Sequence, residues 1–194
     1  MKGYNILRKH ILDILHTKLP KDLYYHGVHH TMDALKTCDL YLKHIKISKH
    51  ESQLLRLGIL LHDIGFTKST KDHELKGIEI AHNLLSEFHF SKKDIDIIKQ
   101  LILSTKVPQQ PKNLLERIIC DIDLDYLGRD DYYKISDQLF RELKVYSGLK
   151  DRNEWNKIQV KFLEAHRYHT DFAIKNRKPK KELRIKELKG LIKT

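Results

Sequence analysis

The chain has 194 residues, of which 40% are hydrophobic and 32% charged, so it can bury the core of one domain and is too apolar to be disordered. It contains no run of about 20 apolar residues, the length that crosses a bilayer, so we expect no transmembrane segment. The formal net charge is +11, and basic residues are concentrated near the C-terminus.

The N-terminus and the cysteines favour a cytoplasmic protein. Residues 1–4 lead directly into a helical pattern, without the apolar segment and small-residue cleavage site of a signal peptide. Cys38 and Cys120 each lie in an apolar run and have no CxxC partner. We therefore predict two buried free thiols in a reducing compartment.

Apolar residues recur at helical spacing almost from end to end, with no alternating strand pattern and no internal repeat. The first predicted helix carries Ile6, Ile11, Leu12 and Leu15. Pro20 ends it, because proline cannot continue a helix. The second predicted helix follows a polar segment and carries Met32, Leu35, Cys38, Leu42 and Ile45.

Capping residues mark the next helices. Ser48 and Glu51 form a capping box that opens a third helix, and a loop rich in Gly, Ser and Thr follows at 65–70. The fourth helix carries Ile78, Ala81, Leu84, Leu85 and Phe88. Ser91 caps a fifth, with Ile95, Ile97, Ile98, Leu101 and Ile102. The sixth carries Leu114, Leu115, Ile118, Ile119 and Ile122.

The C-terminal third continues the helical pattern, with helices predicted at 131–146 and 153–175. Residues 175–194 hold nine Lys or Arg and two Glu, a net charge of +7. This basic tail is either a solvated face or a surface that attracts anions such as nucleotides or RNA. It is expected to dock through an apolar stripe formed by Leu183, Leu188, Leu191 and Ile192. Helix packing alone can then form the core, so the predicted fold class is all-α.

Polar residues interrupt this apolar frame at three places. His62 and Asp63 directly follow the apolar run 57–61, where a charge is costly unless it is paired or binds a metal. Two more groups repeat the pattern: Asp121, Asp123 and Asp125 after the run 114–120, and His26, His29 and His30 at the start of the second helix. His-Asp doublets alone are usually structural, but the combination indicates a metal site.

A set of His and Asp ligands suits a divalent ion such as Mn, Fe, Ni, Zn or Mg, and it leaves positions open for water and substrate. Structural zinc is disfavoured, because it prefers Cys ligands and the two thiols are isolated. Asp121 and Asp123 point in different directions on a helix, so only one of them is expected to bind the ion.

The order of these residues resembles that of the HD-domain metal-dependent phosphohydrolases: an early His, a His-Asp doublet and a distant Asp. These correspond here to His30, His62 with Asp63, and Asp123. Four further segments are similar to a small bacterial subgroup of predicted phosphohydrolases, over about residues 22–180: His73-Glu74, Thr105–Gln109, Asp123–Gly128 and the region of Trp155.

The resemblance implies a single helical HD domain over 1–194, with a metal core at about 22–130, C-terminal helices at 131–194 and a basic tail at 175–194. It also implies one divalent ion bound by His30, His62, Asp63 and Asp123. Asp63 would in addition steer the attacking water.

Four further residues are candidates for catalytic roles around that ion. His26 lies four residues before His30, where helical cyclic-nucleotide phosphodiesterases have a proton-donating His, and is a candidate general acid. Glu74 is a candidate to act on the nucleophile instead. Lys106 and Arg129 are candidates to neutralise phosphate charge, although ordinary surface charge explains these three residues equally well.

The expected reaction is hydrolysis of a phosphoester or phosphoanhydride bond in a small molecule, with a nucleotide favoured. Residues 64–67 replace the acidic pair that follows the doublet in alarmone hydrolases, so that activity is disfavoured. His73 is a candidate ligand for a second ion, but further additions are lacking and one ion is expected.

Three alternatives remain open at this point. The first is a metal- or nucleotide-binding sensor of the same fold without turnover. The second is a nucleic-acid-binding protein that uses the basic tail, which the low aromatic content of 8% disfavours. The third is a di-iron redox relative, which needs more ligands. The oligomeric state is not determined by the sequence.

Overall fold

A computed structural model describes residues 3–193. The chain is 72% helical, with ten α-helices and no strand in the described range, which confirms the all-α prediction. The helices are α1 (Tyr4–Lys18), α2 (Val28–His44), α3 (Lys49–Leu61), α4 (His73–Glu87), α5 (Lys92–Ser104), α6 (Leu114–Asp123), α7 (Tyr132–Tyr146), α8 (Arg152–Ala165), α9 (Asp171–Asn176) and α10 (Lys178–Leu191). Two 3-10 turns occur, at Ile64–Thr67 and Asp125–Gly128.

The chain divides into two compact units, an N-terminal unit up to Asp123 and a C-terminal unit from Leu124. The single HD domain over 1–194, with a core at 22–130, stays a prediction. Its end residues Met1, Lys2 and Thr194 lie outside the described residues. No helix between residues 3 and 193 is long and apolar enough to cross a membrane.

The predicted helix starts at Ser48 and Ser91 are confirmed. Ser48 Oγ accepts a hydrogen bond from the Glu51 backbone N–H at 3.1 Å, and the Glu51 carboxylate accepts one from the Ser48 N–H at 2.8 Å. Ser91 Oγ accepts from the Asp94 backbone N–H at 3.2 Å. These side chains satisfy amide groups that the first turn of a helix leaves without partners.

Helix α3 lies at the centre of the N-terminal unit, where it packs against α1, α2, α5 and α6. Its leucines are fully buried on more than one face: Leu54, Leu55, Leu57, Leu60 and Leu61. A helix surrounded in this way has no solvent-facing side at its C-terminal end. The two polar residues that follow Leu61 are therefore inside the core, at 2% and 5% exposure for His62 and Asp63.

Helix α4 packs closely against the 3-10 turn Ile64–Thr67. The contact depends on Gly65, because a Cβ at this position would overlap the carbonyl oxygen of His73. The absence of a side chain lets the first turn of α4 approach the chain just after the His-Asp doublet. Residues 73 and 74 are thereby brought near Asp63.

The C-terminal unit differs from the prediction at residues 166–170. One helix was predicted over 153–175, but α8 ends at Ala165 and α9 begins at Asp171. His166 has an extended conformation, and Thr170 Oγ1 accepts from the Ala173 N–H at 3.3 Å. Thr170 thus caps a new helix. Thr side chains favour such hydrogen bonds to a nearby backbone amide, which compete with the continuation of a helix.

The predicted apolar stripe of the tail is also wrong. Leu188 is 1% exposed, but Leu183 and Leu191 are 49% and 57% exposed. The face that α10 turns inward instead carries Lys181, whose Nζ donates to the carbonyl oxygens of Leu163 (3.0 Å) and His166 (2.6 Å) at the end of α8. Burial lowers the pKa of Lys181 to about 8. The buried residues of α10 thus include a lysine, where the sequence pattern predicted only leucine and isoleucine.

Candidate metal centre

The doublet lies where α3 ends, and a backbone contact orients its imidazole. His62 Nδ1 lies 2.7 Å from the carbonyl oxygen of Ile59. A carbonyl oxygen can only accept, so Nδ1 carries the proton and donates it. In the neutral ring, Nε2 then holds a lone pair, and this atom is the one that faces the other polar residues of the core. Such an outer hydrogen bond is a regular feature of metal-binding histidines.

His30 and Asp123 meet His62 at this point from two other helices. His30 is buried in the first turn of α2, and its Nε2 lies 3.2 Å from His62 Nε2. Asp123 is the last residue of α6, and its Oδ1 lies 3.2 Å from His30 Nε2 and 3.4 Å from His62 Nε2. Residues 30, 62 and 123 therefore form one cluster of ligand atoms.

The end of α6 is held in place by side chains of the N-terminal unit. Tyr41 donates to the carbonyl oxygen of Asp121 at 3.5 Å, and Gln109 Nε2 donates to that of Cys120 at 3.3 Å. Asp121 is fully buried but is not one of the cluster residues. Of the two aspartates that the sequence left open, the fold places Asp123 beside the histidines.

Asp63 faces the cluster with one carboxylate oxygen and His73 with the other. Its Oδ2 lies 3.2 Å from His62 Nε2 and 3.6 Å from His30 Nε2. This oxygen is buried and makes no hydrogen bond of good geometry within the described residues. Its Oδ1 lies 3.7 Å from His73 Nε2. A buried carboxylate oxygen in such surroundings calls for a cation.

The distances fit a divalent ion. Ligand atoms bonded to one ion at about 2.1 Å are about 3.0 Å apart in octahedral and about 3.4 Å apart in tetrahedral geometry. The contacts among the four side chains span 3.2 to 3.6 Å. Two imidazole nitrogens and two carboxylate oxygens also form the donor set that borderline ions prefer. The donor atoms and their spacing therefore fit the predicted ion.

The cluster keeps its carboxylates ionised. Burial opposes the charge on Asp123, but hydrogen bonds from His30 and His62 outweigh it and lower its pKa to about 2. For Asp63, burial raises the pKa, but the charge of the neighbouring His62 outweighs burial, so the pKa is well below the usual range. Burial disfavours the cationic form of His62, yet Asp63 and Asp123 hold its pKa well above the usual range. The two ionised carboxylates therefore favour the binding of a cation at this site.

An aromatic residue that the sequence analysis passed over organises the edge of the cluster. Phe66 stacks on His73 with ring centroids 3.9 Å apart and on His26 at 4.4 Å. His26 also lies near His30, at 6.1 Å between centroids. The signal available in the sequence was an aromatic residue, Phe66, three positions after Asp63.

The remaining predicted catalytic residues have other partners. Glu74 is buried, and its Oε1 is 3.6 Å from His73 Nε2. Lys106 is exposed and pairs with Asp72, at 3.6 Å, beside the start of α4. Arg129 belongs to the C-terminal unit, where it binds Asp131 at 2.9 Å through Nε. Within the N-terminal unit, the structure thus brings Glu74 beside His73, which itself lies beside Asp63.

A helical core that gathers two His and two Asp in this order defines a class of metal-binding domain. The family model of the HD domain matches residues 27–125, just over half of the chain, and the chain belongs to the HD-domain family. The match includes His30, His62, Asp63 and Asp123 and begins one residue after His26. Neither the curated proteins nor the solved structures contain a match. HD domains bind divalent metals, and their superfamily consists generally of metal-dependent phosphohydrolases.

Proposed function

We propose that this protein hydrolyses a phosphoester or phosphoanhydride bond of a nucleotide. The reaction would use one divalent ion held by His30, His62, Asp63 and Asp123. The observation that carries the proposal is the convergence of these four side chains from α2, the end of α3 and α6, at 3.2 to 3.6 Å. The unsatisfied oxygen of Asp63 supports it.

A divalent ion at this position supplies Lewis acidity to a phosphoryl oxygen and lowers the pKa of a water molecule. The protein orients the ligands: the Ile59 carbonyl holds His62 in one tautomer, and burial excludes competing water. Asp63 can act twice, because Oδ2 faces the ligand cluster while Oδ1 is available to orient the nucleophile beside His73.

Proton transfer to the leaving oxygen is assigned to His26. Its half-buried imidazole rests against Phe66 and lies next to the cluster, so it is fixed in place without being one of the ligands. Glu74, whose Oε1 lies 3.6 Å from His73 Nε2, is a second candidate to act on the nucleophile. Lys106, at the start of α4, is proposed to meet substrate phosphate.

The experiment is elemental analysis of the purified protein, followed by reloading with Mn²⁺, Fe²⁺, Ni²⁺, Zn²⁺ or Mg²⁺ and a screen of nucleotides. We expect about one ion per chain and release of phosphate or a nucleoside from at least one nucleotide. Tight nucleotide binding without product over long incubation would identify a sensor instead. Full turnover by metal-free Asp63→Ala protein would exclude the proposed mechanism.

The basic tail does not favour the nucleic-acid alternative. Five of its cationic side chains are already in ion pairs of the C-terminal unit: Arg177, Lys178, Lys180, Arg184 and Lys189. Lys181 is buried against backbone carbonyl groups. Much of the local charge of +7 therefore serves contacts within the fold rather than a free polycationic surface.

A further inference from the structure

The imidazole of His26 contacts two aromatic side chains of the N-terminal unit. His26 lies in a bend two residues before α2 begins, so it is not part of a helix. Tyr25 meets its ring edge-on, with centroids 4.6 Å apart. Phe66 stacks on it at 4.4 Å, with 26° between the ring planes. The orientation of this imidazole therefore depends on its aromatic neighbours.

Phe66 is itself anchored to a residue of the ligand cluster. It is 6% exposed, and its backbone N–H donates to the carbonyl oxygen of Asp63 at 3.0 Å. Its ring also stacks on His73, with centroids 3.9 Å apart and 21° between the planes. His73 Nε2 lies 3.7 Å from Asp63 Oδ1. The phenyl ring thus connects His26 to the turn that follows Asp63.

We propose that Phe66 is a positioning residue for His26 and acts through it on the departure of the leaving group. The inference rests on the proposed function, in which His26 gives a proton to the leaving oxygen. A general acid must lie within hydrogen-bond reach of that oxygen, so an imidazole that turns away loses its effect. The phenyl ring covers a face of the imidazole rather than the edge that carries the nitrogens. It therefore restricts rotation without blocking proton transfer.

The proton transfer has a defined place in the reaction. Hydrolysis forms a P–O bond to the oxygen of a water molecule and breaks the P–O bond to the leaving group. The leaving oxygen keeps the electron pair of that bond and takes the proton of the His26 imidazolium. The proton lost by the water restores the imidazolium, so the overall reaction consumes only water.

The leaving group supplies a test that general damage to the fold does not mimic. A departing phenolate benefits from a proton in the transition state, whereas p-nitrophenolate is stabilised by its nitro group and departs without one. The Mn²⁺-loaded full chain is assayed on phenyl and p-nitrophenyl phosphate, and on the phenyl and p-nitrophenyl esters of thymidine 5′-phosphate. Partial unfolding lowers both rates of a pair by the same factor, so their ratio reports on the proton donor.

Phe66→Leu keeps an apolar side chain and removes the ring. We expect kcat to fall about 10-fold or more on the phenyl esters and less than about 3-fold on the p-nitrophenyl esters, with KM unchanged. Phe66→Tyr keeps the ring and should retain the phenyl-ester rate. Phe88→Leu is the matched control, because its ring also lies beside a histidine, His10, at 6.2 Å, but at the opposite end of α4 from His73. It should cleave both esters as the wild type does.

His26→Ala calibrates the effect, because it removes the proposed proton donor. It should show the same preference for the p-nitrophenyl ester, with a larger loss on the phenyl ester. Since Phe66 acts through His26, the double variant His26→Ala/Phe66→Leu should lose no more phenyl-ester rate than His26→Ala alone. Equal losses of Phe66→Leu on both esters, or a further loss in the double variant, overturn the inference. No cleavage of any ester by the wild type, or equal losses in His26→Ala, would instead remove the proposed function on which it rests.

A second readout needs no turnover. The imidazole resonances of His26 are identified in carbon–proton NMR spectra of the metal-free chain by their absence in His26→Ala. A stacked phenyl ring shields the protons on the carbon atoms of an imidazole, so Phe66→Leu should move these resonances and Phe88→Leu should not. Unmoved resonances in Phe66→Leu would show that the phenyl ring does not hold His26 and would overturn the inference.

Discussion

His62 and Ile59 are joined by a hydrogen bond of 2.7 Å from the imidazole Nδ1 to the backbone carbonyl oxygen, at the C-terminal end of α3. The carbonyl groups in the last turn of a helix have no intrahelical partner, so α3 itself supplies the acceptor. The helix end thereby determines which nitrogen of His62 faces His30, Asp63 and Asp123. Four predictions concern this site and the packing within each unit.

His30→Ala is expected to abolish metal binding, because it removes one of the four proposed ligands. The metal content should fall from about one ion per chain to background. His29→Ala is the matched control, since His29 is the adjacent residue in the sequence and is exposed. Metal content is measured by elemental analysis after dialysis. Equal content in the two variants would contradict the assignment of His30.

Metal binding at pH 7 is expected to release about one proton per site. Burial lowers the pKa of His62, but Asp63 and Asp123 outweigh burial and raise it well above the usual range, which favours the protonated imidazole in the metal-free protein. The ion must displace that proton, and affinity should therefore fall as the pH falls. Calorimetry in two buffers of different ionisation enthalpy measures the release; identical heats in both would argue against it.

Gly65→Ala is expected to destabilise the protein by about 1–3 kcal/mol or more, because the added Cβ overlaps the His73 carbonyl oxygen and forces α4 away. Gly190→Ala is the control: it lies in α10 with no atom within 4 Å of its Cβ position. There the alanine should be neutral or stabilising by up to about 1 kcal/mol. Urea unfolding of both variants gives the two free energies.

Leu188→Ala is expected to cost about 2–5 kcal/mol, and Leu183→Ala less than about 0.5 kcal/mol. The two residues share one helix and one substitution, but Leu188 is 1% exposed and Leu183 is 49% exposed. Denaturant midpoints measure the difference. Comparable losses of stability in the two variants would instead support the apolar stripe that the sequence pattern predicted.

Local signals were sufficient for much of the fold. Ser48 with Glu51 and Ser91 marked helix starts correctly, because a cap depends on residues within one turn of each other. The pattern failed at 166–170 and along α10. The helix start at Thr170 and the burial of Lys181 depend on tertiary packing, which the spacing of apolar residues along one helix does not predict.

The candidate site shows the same division. The sequence by itself determined which polar residues interrupt the apolar helices: a group of histidines at 26–30, the doublet His62-Asp63 and the aspartates at 121–125. Only the tertiary structure decided between Asp121 and Asp123, brought His73 to the second oxygen of Asp63, and placed Phe66 against both flanking histidines. The reason is geometric: spacing along one helix predicts a face, but contacts between residues 60 or 90 positions apart depend on how the helices pack.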